Sequence, residues 1–171
     1  IFTKLGTVNT NILIENDMYQ SKFKAKSSNI LVNWLSKIDS QGQSKGLIST
    51  SSELIPNSYI YSELKNKTDK ITSIEFLNGQ LVHESFTHNF DKSILTEIDD
   101  QFMINLIDPI TAVSILMNID LNNECSKKLN IYDGKRRYDI ILKKVDTVDN
   151  KIYCSAERSK IGGFSKNEKL L

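Results

Sequence analysis

Two histidines, two cysteines, two prolines and one tryptophan in 171 residues leave little from which to assemble conventional chemistry. His83 and His88 have four residues between them and no cysteine pair beside them, so the tighter ligand spacing of a zinc site is lacking. No P-loop and no G-x-G-x-x-G occurs. Asp99-Asp100 is an adjacent carboxylate pair of the kind that usually decorates a surface. No set of nucleophile, base and metal can be put together. The expectation is therefore a protein that is not an enzyme, with no catalytic residues, no metal and no cofactor. Charge of one sign is lacking too. The 22 basic and 21 acidic residues leave a net charge of +1, without the basic excess of a nucleic-acid binder. No apolar run approaches the ~18 residues of a membrane-spanning helix, so the chain is not expected to be transmembrane. Seven glycines and two prolines leave few linkers. The length suits a single domain over residues 1–171 with a core of its own.

What is present reads mostly as strands. In "MYQSKFKAKS", residues 18–27, Tyr19, Phe23 and Ala25 alternate with Lys22, Lys24 and Lys26. That is the period of a half-buried strand with a solvated lysine face. "TVNTNILIEN" offers it a partner across a turn near Asn16-Asp17. "SNILVNWLSKIDS" predicts a helix capped by Asn29, with Trp34 among its recurring apolar positions as a packing anchor or a ligand platform. Residues 42–49 return to strand. "IPNSYIYSELKNKTDKITSIEFLNGQLVHES" reads as a meander with Asn78-Gly79 at a hairpin turn. The stretch from Phe90 to Ile107 is irregular. Asp108 then caps a second helix with Pro109 at its first position, and the apolar residues of "ITAVSILMNI" lie almost all round it, so the helix should be buried.

The most telling stretch is "LNIYDGKRRYDIIL", residues 129–142. A two-residue Asp133-Gly134 turn would set Leu129 opposite Tyr138 and Lys128 opposite Asp139. Leu129, Ile131, Tyr138, Ile140 and Leu142 then share an apolar face. Lys128, Asn130, Arg137, Asp139 and Lys143 share the other, with Lys135 and Arg137 at a solvated tip. Arg136 is the exception, on the apolar face beside the turn. A third strand, "KIYCSAERS", would place Arg158 opposite Tyr138. Two arginines and a tyrosine at the rim of an apolar surface could hold an acidic head group, or could simply snorkel at a sheet edge. The same register sets Cys125 and Cys154 on either side of Leu142, about 10 Å apart at ~4.8 Å per strand. A disulfide needs Cα atoms within ~7 Å, so a bridge requires Cys125 to leave its strand.

Taken in order, these pieces resemble a known family. "PNSYIYSELKNKTDKITSIEFLNGQLV" resembles its Pro-x-x-Tyr strand pair, and "IDPITAVSIL" resembles its Asp-Pro helix start. "CSKKLNIYDGKRRYDIIL" followed by "YCSAERSKIGGF" resembles the form seen in alphaproteobacteria. The family is domain of unknown function three-one-zero-eight, envelope proteins of Gram-negative bacteria grouped with the lipoprotein carriers LolA and LolB. The resemblance implies an α+β fold in which a curved antiparallel sheet, a half-barrel, wraps around one or two short helices. It implies periplasmic localisation, with a signal peptide removed or not included, and a Cys125–Cys154 disulfide. It also implies further strands beyond the present end of the chain. Two functions follow. The first is binding or carriage of a lipid or other hydrophobic ligand on the concave face, lined by Phe23, Trp34, Tyr138 and Ile140 with Arg136 and Arg158 at the mouth. The second is a structural or protein-interaction module of the envelope with a protein partner and no small-molecule ligand. A continuous cavity between sheet and helix distinguishes the first from the second.

Overall fold

The computed structural model describes residues 6–27, 39–65, 68–89, 91–118, 125–148 and 151–166. The predicted first helix, with Trp34, lies outside them. Six strands form one antiparallel meander in chain order: β1 (Gly6–Glu15), β2 (Met18–Ser27), β3 (Asp39–Ile48), β4 (Leu54–Lys65), β5 (Thr68–Leu77) and β6 (Gln80–Phe86). Two tight turns among the described residues are where the sequence put them. Asn16 and Asp17 both take positive φ (47° and 60°), as do Asn78 and Gly79 (52° and 75°). Paired positive φ angles match the right-handed twist of the flanking strands, and Asn, Asp and Gly tolerate them best.

After two single turns of 3-10 helix, helix α1 spans Pro109–Asn118. Three more strands follow, β7 (Lys128–Tyr132), β8 (Arg137–Val148) and β9 (Lys151–Gly162), in a separate antiparallel sheet. The expected single sheet is therefore two sheets, neither closed into a barrel, with one short α-helix among the described residues. α1 lies between β2–β4 and β7. The core has two parts. Tyr59, Ile74, Phe76, Leu106, Ile110 and Tyr132 join the six-stranded sheet to the end of the β7–β8 hairpin. Ala112, Leu129 and Ile131 close α1 onto the second sheet.

Asp108 sets the helix down. It is fully buried, and its Oδ1 accepts from the Ile110 and Thr111 backbone N–H groups at 2.9 and 3.0 Å. Its Oδ2 accepts from the Ser44 hydroxyl of β3 at 2.7 Å and from the Thr111 hydroxyl at 2.6 Å. The cap is thus also the bolt between helix and sheet. Asp108→Ala should remove the cap and leave two buried hydroxyls without their acceptor, costing about 2 kcal/mol. Asp108→Asn, which keeps a carbonyl for the two N–H groups, should cost less. Urea unfolding of both variants checks the order, and an alanine variant with the wild-type midpoint would contradict it.

The β7–β8 hairpin differs from the expected one. Leu129 pairs with Ile140, Ile131 with Tyr138, and Tyr132 with Arg137, so the loop is the four residues Asp133–Arg136. The reason is Asp133. Its Oδ1 accepts from the Lys135 and Arg136 N–H groups at 3.0 and 2.6 Å, folding the loop around one carboxylate. The slip is two residues, so each side chain keeps its face. Lys128 now reaches Asp139 diagonally, at 2.9 Å. β9 slips by two as well, and Arg158 pairs with Ile140 instead of Tyr138.

Arg137 is the larger correction. It is not at a solvated tip but only 2% exposed. Its Nε donates to the Phe102 carbonyl at 2.8 Å, and its Nη1 to the Tyr138 carbonyl at 2.8 Å and to Asp139 Oδ1 at 2.5 Å. The irregular segment before α1 covers this face of the second sheet. Asn130 Nδ2 donates to the Ile104 carbonyl at 3.4 Å, and the Ile107 N–H to the Asn130 carbonyl at 2.9 Å. A period-two pattern cannot reveal a loop lying over a polar face.

The cysteines correct the distance expected from strand register. Cys125 precedes β7 and folds across, so its Cα lies 5.6 Å from that of Cys154 in a disulfide. Cys154 stands opposite Lys144, not Leu142.

Candidate functional site

Between the inner face of β2–β5, the start of α1 and the Asp133–Arg136 loop lies a cleft of about 650 Å3. Its floor is apolar and aromatic. Phe23 comes from β2, Tyr59 and Tyr61 from β4, and Ile110 and Val113 from α1. Tyr59 and Tyr61 are two apart on one strand and so share a face. Their rings stack at 6.4 Å between centroids and 5° between planes. Tyr138 of β8 completes the wall. Burial, followed by the charge of Asp133, pushes its phenol up to about 12, against the pull of Arg136 and Arg158. It therefore stays a neutral hydrogen-bonding group at physiological pH.

The rim is charged. Lys70, Lys135 and Arg136 stand there with Glu63 and Asp133. Arg136 is held in place, its Nη2 2.7 Å and its Nε 2.8 Å from Asp133 Oδ2. The loop carrying it is pinned from two sides. A Cβ on Gly134 (φ 91°) would lie 2.6 Å from Thr72 Cγ2 of β5. A Cβ on Gly163 (φ 77°) would lie 1.8 Å from the Lys135 carbonyl oxygen. The predicted hairpin tip is thus pressed between the large sheet and the turn after β9.

Of the residues expected to form a ligand site, Phe23, Arg136 and Tyr138 come together in this cleft. Lys135, expected on the opposite face, lines it as well. Ile140 is placed elsewhere, packed with Ala112, Leu129 and Ile131 beneath α1. Arg158 lies over the Phe164 ring at 5.8 Å, beside the wall but not in it. Trp34 falls outside the described residues.

Gly42-Gln43-Ser44-Lys45-Gly46 spells G-x-S-x-G. A nucleophile elbow needs its serine exposed on a sharp strand-to-helix turn. Ser44 instead lies within β3, is fully buried, and hydrogen-bonds to Asp108, to Thr111 at 2.8 Å and to Tyr19 at 3.4 Å. The glycines serve packing. A Cβ on Gly42 would lie 2.7 Å from Ile110 Cδ1, and one on Gly46 would lie 2.0 Å from the Ile55 carbonyl oxygen. Tyr19 reaches Thr111 at 2.7 Å, and Ser21 reaches Ser114 at 2.6 Å, which completes a polar seam under the helix. Burial raises the Asp108 carboxyl above its ordinary range against the pull of four hydrogen bonds. The seam is enclosed by helix and sheet, and its chemistry is that of attachment.

Among the described residues no group of three or more His, Cys, Asp or Glu side chains could hold a metal ion. Asp99 caps a single turn of 3-10 helix, accepting from the Gln101 N–H at 3.0 Å. No described helix is long and apolar enough to cross a membrane.

Compared with known proteins, the chain matches over residues 1–158 the model of one family, described as "Protein of unknown function (DUF3108)". No curated protein and no solved structure matches it.

Proposed function

The chain belongs to DUF3108, a family of proteins of unknown function, and from that premise we propose that it binds a hydrophobic molecule with an acidic head group in the periplasm. The observation that carries this reading is the cleft. Its volume of about 650 Å3 lies in the ~300–1,000 Å3 range of small-molecule sites. An apolar floor with a few convergent charges at the mouth suits an amphiphile. The body would lie on Phe23, Tyr61, Ile110 and Val113. The head group would meet Arg136 and Lys135, with the Tyr138 phenol as a neutral donor. Kinship with the carriers LolA and LolB belongs to this reading, as does handing the ligand on. The Cys125–Cys154 disulfide supports the compartment, because disulfides persist where the surroundings are oxidising.

Asp133 makes the reading testable in two directions. Its carboxylate already occupies Arg136 and would compete with an acidic head group. Arg136→Ala should weaken binding of dodecanoate about threefold to tenfold, as befits an ion pair at a partly dry rim. Asp133→Asn keeps an acceptor for the loop N–H groups and should strengthen it. Binding of a neutral dodecyl glycoside should change by less than twofold in both variants. Isothermal titration reads all three. Equal effects on acidic and neutral ligands, or no binding of either by the wild type, would end the proposal.

A further inference from the structure

The face of the six-stranded sheet turned away from α1 has a feature of its own. Strand register sets out two rows on it, polar except for Ile60. Asn9, Lys24, Gln41 and Ser62 form one, and Asn11, Lys22, Gln43 and Ile60 form the next. A merely solvated sheet face presents no hollow, yet these rows line a trough of about 610 Å3. Among the described residues no carboxylate lines it. Lys22 and Lys24 are exposed, and Lys26 and Lys45 extend the same face. Gln20 Nε2 donates to Gln43 Oε1 at 2.8 Å and fixes that amide in the trough.

We infer that this trough is a second binding site, which holds a strand of an acidic polysaccharide. Carboxamides both donate and accept, as a hydroxyl-rich chain requires, and ammonium groups match its carboxylate or phosphate substituents. Asn, Lys and Gln recur in both rows, two residues or ~6.6 Å apart along each strand, which gives a linear polymer a repeating set of contacts. The hollow does not fit a flat membrane surface. It does not fit single-stranded nucleic acid either, which needs aromatic rings for its bases. Among the described residues the one aromatic bordering the trough, Phe23, packs its ring into the core on the other side of the sheet. The site stands apart from the cleft and does not depend on its ligand.

Affinity electrophoresis through gels containing polygalacturonate tests the inference, with dextran gels as the neutral counterpart. The wild type should be retarded by polygalacturonate and not by dextran. Lys22→Glu/Lys24→Glu should weaken the retardation at least tenfold. Asn9→Ala/Gln41→Ala, which leaves the charge unchanged, should weaken it at least threefold. All four positions are exposed, so both variants should melt with the wild type. The inference is overturned if polygalacturonate does not retard the wild type. It is also overturned if the amide variant binds as well as the wild type, since diffuse charge would then suffice. Equally tight binding of phosphatidylglycerol vesicles or single-stranded DNA by the wild type would assign the lysine face to a membrane or a nucleic acid instead.

Discussion

Replacing Gly163 by alanine is expected to lower folding stability by about 3 kcal/mol or more and to loosen the ligand cleft with it. Two costs add. Gly163 has φ 77°, where a side chain strains the backbone by ~1–3 kcal/mol. The new methyl would also fall 1.8 Å from the Lys135 carbonyl oxygen and 2.9 Å from Arg136 Cα, both backbone atoms that no rotamer change can move. Forcing room into a packed contact costs a further ~1–3 kcal/mol. The loop cannot yield in the other direction, because Gly134 already rests on Thr72, Ile74 and Phe86. Relief must therefore come from shifting the loop that carries Lys135 and Arg136, and dodecanoate binding should weaken in step. In a chain of this length the melting temperature should fall by about 10 °C. A variant within 1 kcal/mol of the wild type would show that the turn after β9 does not clamp the loop.

Arg137→Ala should cost about 3 kcal/mol, at the lower end of the ~3–5 kcal/mol seen when one partner of a buried pair is removed. Asp139 is 3% exposed and would lose its shortest contact, while the Phe102 and Tyr138 carbonyls would lose their donors. Lys128 stays 2.9 Å from Asp139 and moderates the loss. Arg137→Ala/Asp139→Ala should recover part of it, because no buried carboxylate is then left short of a partner. Urea midpoints of the two single variants and the double variant give the coupling. Strictly additive losses would contradict the pairing. So would an Arg137→Ala variant within 0.5 kcal/mol of the wild type, the usual range of a surface substitution.

Both predictions rest on features that the sequence shows only in part. The faces of β2, β7 and β8 were legible because alternation survives a register slip of two residues. The slip was not, since it depends on Asp133 gathering two loop N–H groups. Arg137 and Asp139 read as solvent-facing because they alternate with apolar residues. Only the chain segment lying over them buries the pair, and that segment has no period to read. Asp108 and Pro109 announced their helix start, yet nothing local tied Asp108 to Ser44, which lies 64 residues away. Ser21, Ser40 and Ser44 point inward where alternation expects apolar side chains, so the polar seam was invisible to a hydrophobic pattern. Of the site, Phe23, Arg136 and Tyr138 were legible from face and turn. Tyr59, Ile110 and Val113 line the cleft only because α1 crosses the sheet there. Ile140 shares a face with Tyr138 along β8, but α1 covers that end of the face and leaves the other open to the cleft.

The cleft between α1, the large sheet and the Asp133–Arg136 loop is proposed to hold an amphiphile. The most direct test is native mass spectrometry of the protein exported to, and purified from, the periplasm of a Gram-negative host. One acidic lipid bound per chain is expected. Val113→Trp, which fills the cleft from its helix wall, should lose that lipid while folding with a normal disulfide. Wild-type protein that carries no lipid and takes up none from added dodecanoate would rule out the lipid-binding cleft, as would a Val113→Trp variant that retains the same adduct.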